Sequence, residues 1–282
     1  MSNSDVLEEA ARAKVNLALH VVGKRKDGYH LLDSLILFAD LADRLHLAPA
    51  AETALRITGP LSAGIDLQDN LVLRAHAAMQ HAFGSLVPNI DATLEKNIPV
   101  AAGLGGGSAD AAATLRALCR LAGLDPLSRQ LHEIALSLGA DVPVCLHSRA
   151  SRLRGIGEAI EPVNDFSPLH VVLVNAGTPV PTAEVYAGLG LEPGEPGYPP
   201  MEFPFAFSTS RNDLTPPALE LVPEIGAVLQ QLKESAGVRF ARMSGSGGTC
   251  FAVFDDRTGA EAAAAVLAGG HPNWWVRAAV LE

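Results

Sequence analysis

IPVAAGLGGGSADAAATLRALCRLAG, residues 98–123, decides how the rest of the chain is read. Gly103, Gly105, Gly106 and Gly107 make a loop almost without side chains, and an alanine-rich run of high helix propensity follows. Ser108 is expected as the N-cap, Asp110 in the first turn beside the positive end of the helix dipole, and Gly123 as the stop. A glycine loop that feeds a helix start offers unpaired N–H groups, and glycines let a phosphate come close to them. Two common phosphate motifs do not fit. No lysine follows Gly107 as a P-loop requires, and Ser108 stands where a dinucleotide fingerprint counted from Gly103 needs glycine. The alternative to a phosphate cradle is a tight loop that packs a helix against a sheet.

The chain has 282 residues, which favours two domains, and 48% of them are apolar, enough for substantial cores. A formal net charge of −10 argues against a nucleic-acid partner, whose phosphates call for Lys and Arg. A small anion held by a local basic cluster stays compatible with it. Cys119, Cys145 and Cys250 are far apart with no CxxC spacing, so they are expected reduced in element interiors. MSNSDVLEEAARAK is acidic where a signal peptide is basic, and no apolar run is long enough to cross a bilayer. The expectation is a cytoplasmic protein with no membrane partner, a monomer or a homodimer.

Upstream of the loop, AKVNLALHVV (13–22) alternates, with Val15, Leu17, Leu19 and Val21 facing a core. Lys14, Asn16, Ala18 and His20 fall on the opposite face, where a lone lysine is ordinarily solvated. In GKRKDGYH (23–30), Asp27-Gly28 signals a turn, and Lys24, Arg25 and Lys26 are the densest basic run. Tyr29 and His30 follow. Either this is a solvated hairpin tip, or it is a clamp with an aromatic plane, an imidazole and cations for phosphates. Leu31 to Leu47 reads as apolar strand, and Asp69-Asn70 as caps of a helix near Leu71–Phe83. Ile90, Ala92 and Leu94 alternate in a strand that ends at Glu95-Lys96, which leaves Lys96 either beside the loop or simply exposed.

Downstream, Asp125-Pro126 is expected to start a helix that Gly139 ends. In ADVPVCL (140–146), Asp141 lies between that stop and an apolar strand, as a turn carboxylate or a catalytic one. The second half reads as strand Val171–Val174, helix Pro217–Glu234, strands Val238–Met243 and Cys250–Phe254, helix Ala260–Leu267 and strand Trp275–Val280. That order is βαββαβ, the split ferredoxin-like pattern. Its middle hairpin carries a second glycine loop, Ser244-Gly245-Ser246-Gly247-Gly248. The Pro/Gly-rich segment 188–207 is expected to be an irregular surface loop.

Lys14-Val15-Asn16-Leu17, Pro99 to Ser108 and Met243 to Gly248 together resemble the GHMP superfamily of small-molecule kinases. More narrowly, AKVNLALHVVGKRKDGYHLLDSL (13–35) and GADVPV (139–144) are similar to members that phosphorylate a cytidine diphosphate sugar alcohol in non-mevalonate isoprenoid precursor biosynthesis. The resemblance covers nearly the full chain, and the GKRxDGYH block is its most specific signal. It implies an α+β, two-domain kinase: a ribosomal-protein-S5-like, ATP-binding domain over residues 1–163 and a ferredoxin-like domain over 164–282.

The resemblance also implies roles. Asp141 matches the catalytic base, and Lys14 the lysine that polarises the acceptor hydroxyl and steadies that carboxylate. Pro99, Val100, Ala101, Ala102, Gly103, Leu104, Gly105, Gly106, Gly107, Ser108 and Ala109 match the ATP phosphate loop, with Asn70 and Lys96 near the nucleotide. Tyr29 and His30 match the cytidine-recognising pair, Asn16 a substrate-binding amide, and Tyr186 an aromatic that closes the far side of the cytosine. ATP is the co-substrate with Mg²⁺, for which Ser108 is the one candidate protein ligand. Two features depart from the pattern: Leu146 to Ser151 lacks the glycine-containing turn of relatives, and segment 188–207 has no counterpart. The rival readings are a GHMP kinase for another small alcohol, a non-catalytic nucleotide-binding protein of the same fold, and a plain α/β scaffold.

Overall fold

A computed structural model describes residues 6–164 and 166–282. The chain divides into two compact units, and two long strands contribute to both. These are β1 (Leu7–Lys24) and β2 (His30–Pro49), which pair with each other.

The first unit comprises residues up to Ala13, Leu41–Val100 and Gly105–Ser148. Its sheet adds β3 (Ala54–Thr58) and β4 (Ile90–Glu95) to the far part of β2. β4 runs antiparallel to β2, Leu45 opposite Leu94, and parallel to β3, Leu55 opposite Ala92. The period-two pattern of β4 is realised, with Ile90, Ala92 and Leu94 buried. Helix α1 (Leu71–Phe83) starts where expected, because Asn70 Oδ1 accepts the Val72 N–H at 2.9 Å.

Helix α2 corrects the expected start. It spans Gly106–Ala122, and its N-cap is Gly105 at φ +64°, not Ser108. Glycine enters the left-handed region at no steric cost, so the chain turns earlier than a cap at Ser108 would allow. Ser108 therefore lies inside the first turn, and Asp110 lies deeper than the dipole reading assumed. Gly123 ends α2 in the left-handed conformation, as expected.

Two further boundaries differ. Asp125 Oδ1 accepts the Leu127 N–H at 2.9 Å, and this turn delays α3 to Arg129–Leu138, capped by Ser128. ADVPVCL is not a strand: Val142–His147 forms α4, with Asp141 at its N-cap position and Pro143 in the first turn. A short apolar run cannot be assigned by periodicity alone, and the proline decided this one.

The second unit comprises Lys14–Asp40, Ala101–Leu104 and Arg149–Glu282. β5 (Ser151–Gly155) pairs with the near part of β2 and with β6 (Ala159–Pro162). β7 (Leu169–Asn175), β8 (Val238–Met243), β9 (Thr249–Phe254) and β10 (Trp275–Leu281) form an antiparallel sheet in the order β10-β7-β9-β8. After β7 come α5 (Thr182–Ala187), α6 (Thr215–Leu221) and α7 (Glu224–Glu234), and α8 (Arg257–Gly270) joins β9 to β10. The helix expected over 217–234 is broken at Val222, because a residue before proline is pushed out of the helical region by Pro223. Ile225, Val228 and Leu232 of α7 and Ala260 and Leu267 of α8 share one core with Val172, Val174 and Ala252.

Segment 188–207 is irregular, as expected, but part of it is tied along β1. Lys24 N–H donates to Glu195 O at 2.9 Å, and the Gly197 and Tyr198 N–H groups donate to Val22 O and Val21 O at 3.0 and 2.8 Å. Gly197 is required there, since a Cβ would stand 2.3 Å from Val21 O.

Candidate active site

Lys14 and Asn16 lie on the face of β1 opposite Val15 and Leu17, and both faces of this segment are buried, so Lys14 is not the solvated strand lysine that was one expectation. Lys14 is 5% exposed and Asn16 3%. A buried ammonium must be given oxygen partners. Lys14 Nζ donates to Asn16 Oδ1 at 3.1 Å, and Asn16 Nδ2 donates to Ser34 Oγ at 2.8 Å. Ser34 in turn donates to Ala18 O at 2.6 Å. The amide thus holds the lysine head, and a β2 serine holds the amide. Sequence reading missed Ser34, although a serine in an apolar strand beside an alternating partner is a signal for such a bond.

The two glycine loops meet within the second unit. Thr249 N–H donates to Ala102 O at 3.0 Å, Ser244 Oγ to Gly103 O at 3.0 Å, and Lys14 N–H to Leu104 O at 2.8 Å. Gly103 sits at φ +73°, and a Cβ on it would lie 2.5 Å from Gly247 O and 2.6 Å from Ser244 O. No other residue fits that approach. Pro99 is partly covered, Val100 is 63% exposed, and Ala101 takes the left-handed φ of 52°.

At the turn between β1 and β2, Tyr29 is 61% exposed and His30 partly buried. The His30 ring stands 5.0 Å from that of Tyr186 on α5, inclined by 34°. Burial and the Lys24 ammonium hold this imidazole below its ordinary pKa, so it is neutral at pH 7. Its Nε2 is buried without a partner among the described residues. A ring nitrogen left so is a polar group in want of a ligand.

The first unit carries the remainder. Ser108, in the first turn of α2, makes no side-chain hydrogen bond among the described residues, so its hydroxyl is available to a hard cation or a phosphate oxygen. Ala109 is buried behind it. Asp141 sits at the start of α4 and is partly exposed, and its carboxylate makes no capping bond. Lys96 is not the exposed strand-end lysine that was one expectation. It is 3% exposed, and its ammonium bonds Asp43 and Asp110. Asp43 also accepts the Asn97 and Ile98 N–H groups, the second at 2.9 Å. Lys96 Nζ is 3.7 Å from where a Cβ of Gly106 would be, so it underlies the glycine loop with its charge turned inward. Asp43 was missed, yet a carboxylate inside FADLADRLHL implies a buried partner. Among the described residues no group of three or more His, Cys, Asp or Glu side chains gathers to hold a metal ion.

Residues 70–149 match the family model described as GHMP kinases N terminal domain, and 205–271 match GHMP kinases C terminal. The 4-diphosphocytidyl-2-C-methyl-D-erythritol kinase of Bradyrhizobium sp. (strain ORS 278) is 47% identical, over 98% of this chain and 97% of its own. The chain belongs to the GHMP kinases, in the 4-diphosphocytidyl-2-C-methyl-D-erythritol kinase family. The Rhizobium etli (strain CIAT 652) relative of the same name is also 47% identical, over 96% of this chain and 93% of its own. A crystal structure of 4-(cytidine 5'-diphospho)-2C-methyl-D-erythritol kinase superposes with a TM-score of 0.82 at 35% identity, covering 98% of this chain and 99% of that one. Homoserine kinase from Cytophaga hutchinsonii, at 17% identity, 100% and 96% coverage and TM-score 0.70, shares the fold alone. This GHMP kinase is a small-molecule phosphotransferase of two-domain α+β architecture, and the readings as another alcohol kinase, a sensor or a scaffold are not favoured.

Proposed function

We propose that this GHMP kinase transfers the γ-phosphoryl group of ATP to the 2-hydroxyl of 4-diphosphocytidyl-2-C-methyl-D-erythritol, a step toward isoprenoid precursors. The observation that carries the cytidyl half is the neutral His30, with an unpartnered Nε2, facing Tyr186 at 5.0 Å beside the exposed Tyr29. A cytosine offers a flat face to such aromatic rings and a polar edge to the imidazole.

On this reading residues 1–163 form the ATP-binding domain, ribosomal-protein-S5-like, and 164–282 the ferredoxin-like domain. One matched family segment falls in each, and the β10-β7-β9-β8 order with its intervening helices supports the second. Loop residues 99–109 take the triphosphate, with Asn70 and Lys96 lying to the nucleotide side. Lys96 serves there by fixing the loop through Asp43 and Asp110 rather than by touching phosphate.

Phosphoryl transfer of this kind is mainly positioning and charge stabilisation, because the transition state is loose. Backbone N–H groups of the loop hold phosphate oxygens. Ser108, through its hydroxyl, is the residue that would hold a Mg²⁺ ion arriving with the nucleotide, and such an ion would supply neutralisation of phosphate charge. Lys14, aimed by Asn16, draws electron density from the acceptor oxygen, while Asp141 accepts its proton as the P–O bond forms. Asn16 keeps a second amide hydrogen for a substrate hydroxyl. Three buried free cysteines suit the cytoplasm, and burial pushes the Cys119 thiol up to about 11, far from reactive.

The test is ADP release in a coupled assay with the cytidyl substrate against mevalonate and homoserine. Turnover confined to the cytidyl substrate is the expected result, and equal or faster turnover of either other alcohol overturns the assignment.

A further inference from the structure

We infer that Ser244 is a positioning residue whose one hydroxyl sets both the acceptor-side strand and the phosphate loop. The inference rests on the kinase reading and deepens it. Ser244 follows β8 and is 0% exposed. Its Oγ accepts the Asn16 N–H at 3.1 Å and donates to Gly103 O at 3.0 Å. Asn16 in turn holds the Lys14 ammonium through its Oδ1 at 3.1 Å, so the serine reaches that cation through one residue.

The second bond has a directional consequence. In a trans peptide the C=O and the following N–H point opposite ways. Thr249 N–H pins Ala102 O, and Ser244 Oγ pins Gly103 O, both toward the second glycine loop. The N–H groups of Gly103 and Leu104 therefore point away from that loop, and neither has a protein acceptor among the described residues. Two adjacent free N–H groups held in fixed directions form a phosphate-binding pair. Ser244 fixes the second of them, and without its hydroxyl the Gly103–Leu104 peptide loses its only side-chain restraint among the described residues.

Ser244 is itself held from both sides. Asn212 Nδ2 donates to Met243 O and to Gly245 O, each at 2.8 Å, and Ser244 N–H donates to Thr249 O at 2.9 Å. The backbone around the serine is thus set independently of its hydroxyl. Ser244→Ala removes two hydrogen bonds and leaves the turn in place.

The experiment compares wild type, Ser244→Ala and Ser244→Thr by steady-state kinetics, by calorimetric titration with a non-hydrolysable ATP analogue and with the cytidyl substrate, and by thermal unfolding. Ser244→Ala is expected to weaken the ATP analogue and raise the ATP KM about tenfold, lower kcat about tenfold, and leave cytidyl Kd within about twofold. Ser244→Thr, which keeps the hydroxyl, is expected to recover most of the loss. Should Ser244→Ala not fold, Ser244→Cys, with a weak donor of similar size, is expected to show the same ATP-selective loss. A folded variant with wild-type analogue affinity overturns the inference, as does equal weakening of both ligands in step with a fall in Tm. The analogue titration needs no acceptor, so a wild type that binds it but releases no ADP would refute the kinase reading and still decide the role of Ser244.

Discussion

Lys96 Nζ lies 2.7 Å from Asp110 Oδ2, with 4% and 6% of the two side chains exposed, and the same ammonium also bonds Asp43. One cation therefore serves two buried carboxylates at the foot of the phosphate loop. Removing it as Lys96→Met leaves two buried acids without a counter-charge, Asp43 keeping only its backbone N–H donors, and breaking a buried pair in this way costs about 3–5 kcal/mol. Urea unfolding is expected to show that loss. A variant of wild-type stability whose sole defect is a raised ATP KM would mean that the lysine reaches outward to phosphate instead.

The same cluster has a pH signature. A single ammonium cannot neutralise two carboxylates, so burial and the Asp43 charge push Asp110 up to about 7. Lys96, which burial alone would lower, is raised by the same two carboxylates. Asp110 Oδ1 is buried without a partner among the described residues, and a proton on that carboxyl lowers the desolvation cost. The unfolded chain protonates Asp110 near 3.8, the folded chain near 7. Between those values the folded state holds the extra proton, so this group's contribution to stability falls as pH rises from about 4 to about 7 and is level above. Asp110→Asn abolishes that slope. The difference in unfolding free energy between variant and wild type should therefore shift in favour of Asn by on the order of 2–4 kcal/mol from pH 4.5 to pH 7.5. A constant difference across that range would place the proton elsewhere.

Much of this was written into local sequence. The β4 alternation, the Asn70 cap, the left-handed stop at Gly123 and the βαββαβ order depend on short-range rules that tertiary packing left intact. What escaped depends on partners far away in the chain. Lys14 reads as solvated because alternation reports that two faces differ, not that both are covered. Lys96 finds carboxylates 53 and 14 residues away, which no local pattern announces. Ser244 was legible as part of a glycine loop but not as the owner of a shared hydroxyl, since Asn16 is 228 residues distant.

Tyr29 is exposed, so its removal leaves the fold untouched and reads binding alone. Stacking of a base on an aromatic ring contributes about 1–3 kcal/mol. Tyr29→Ala should therefore weaken the cytidyl substrate by roughly 5- to 150-fold in calorimetric Kd, with Tm and the ATP KM near wild type. An unchanged Kd would take the cytosine away from this turn.

Asp141→Asn is the sharpest test of the chemistry. The acceptor hydroxyl must lose its proton as the phosphorus arrives, and an amide has the shape of the carboxylate without its basicity. Because Asp141 makes no capping bond to α4, the exchange spares the helix start. The expected result is a fall in kcat of about 10²–10⁴ with the ATP KM little changed, since a general base acts on the transition state and not on nucleotide binding. A variant that turns over at near wild-type speed would show that the proton leaves by solvent, with Asp141 serving the acceptor site only as a charge.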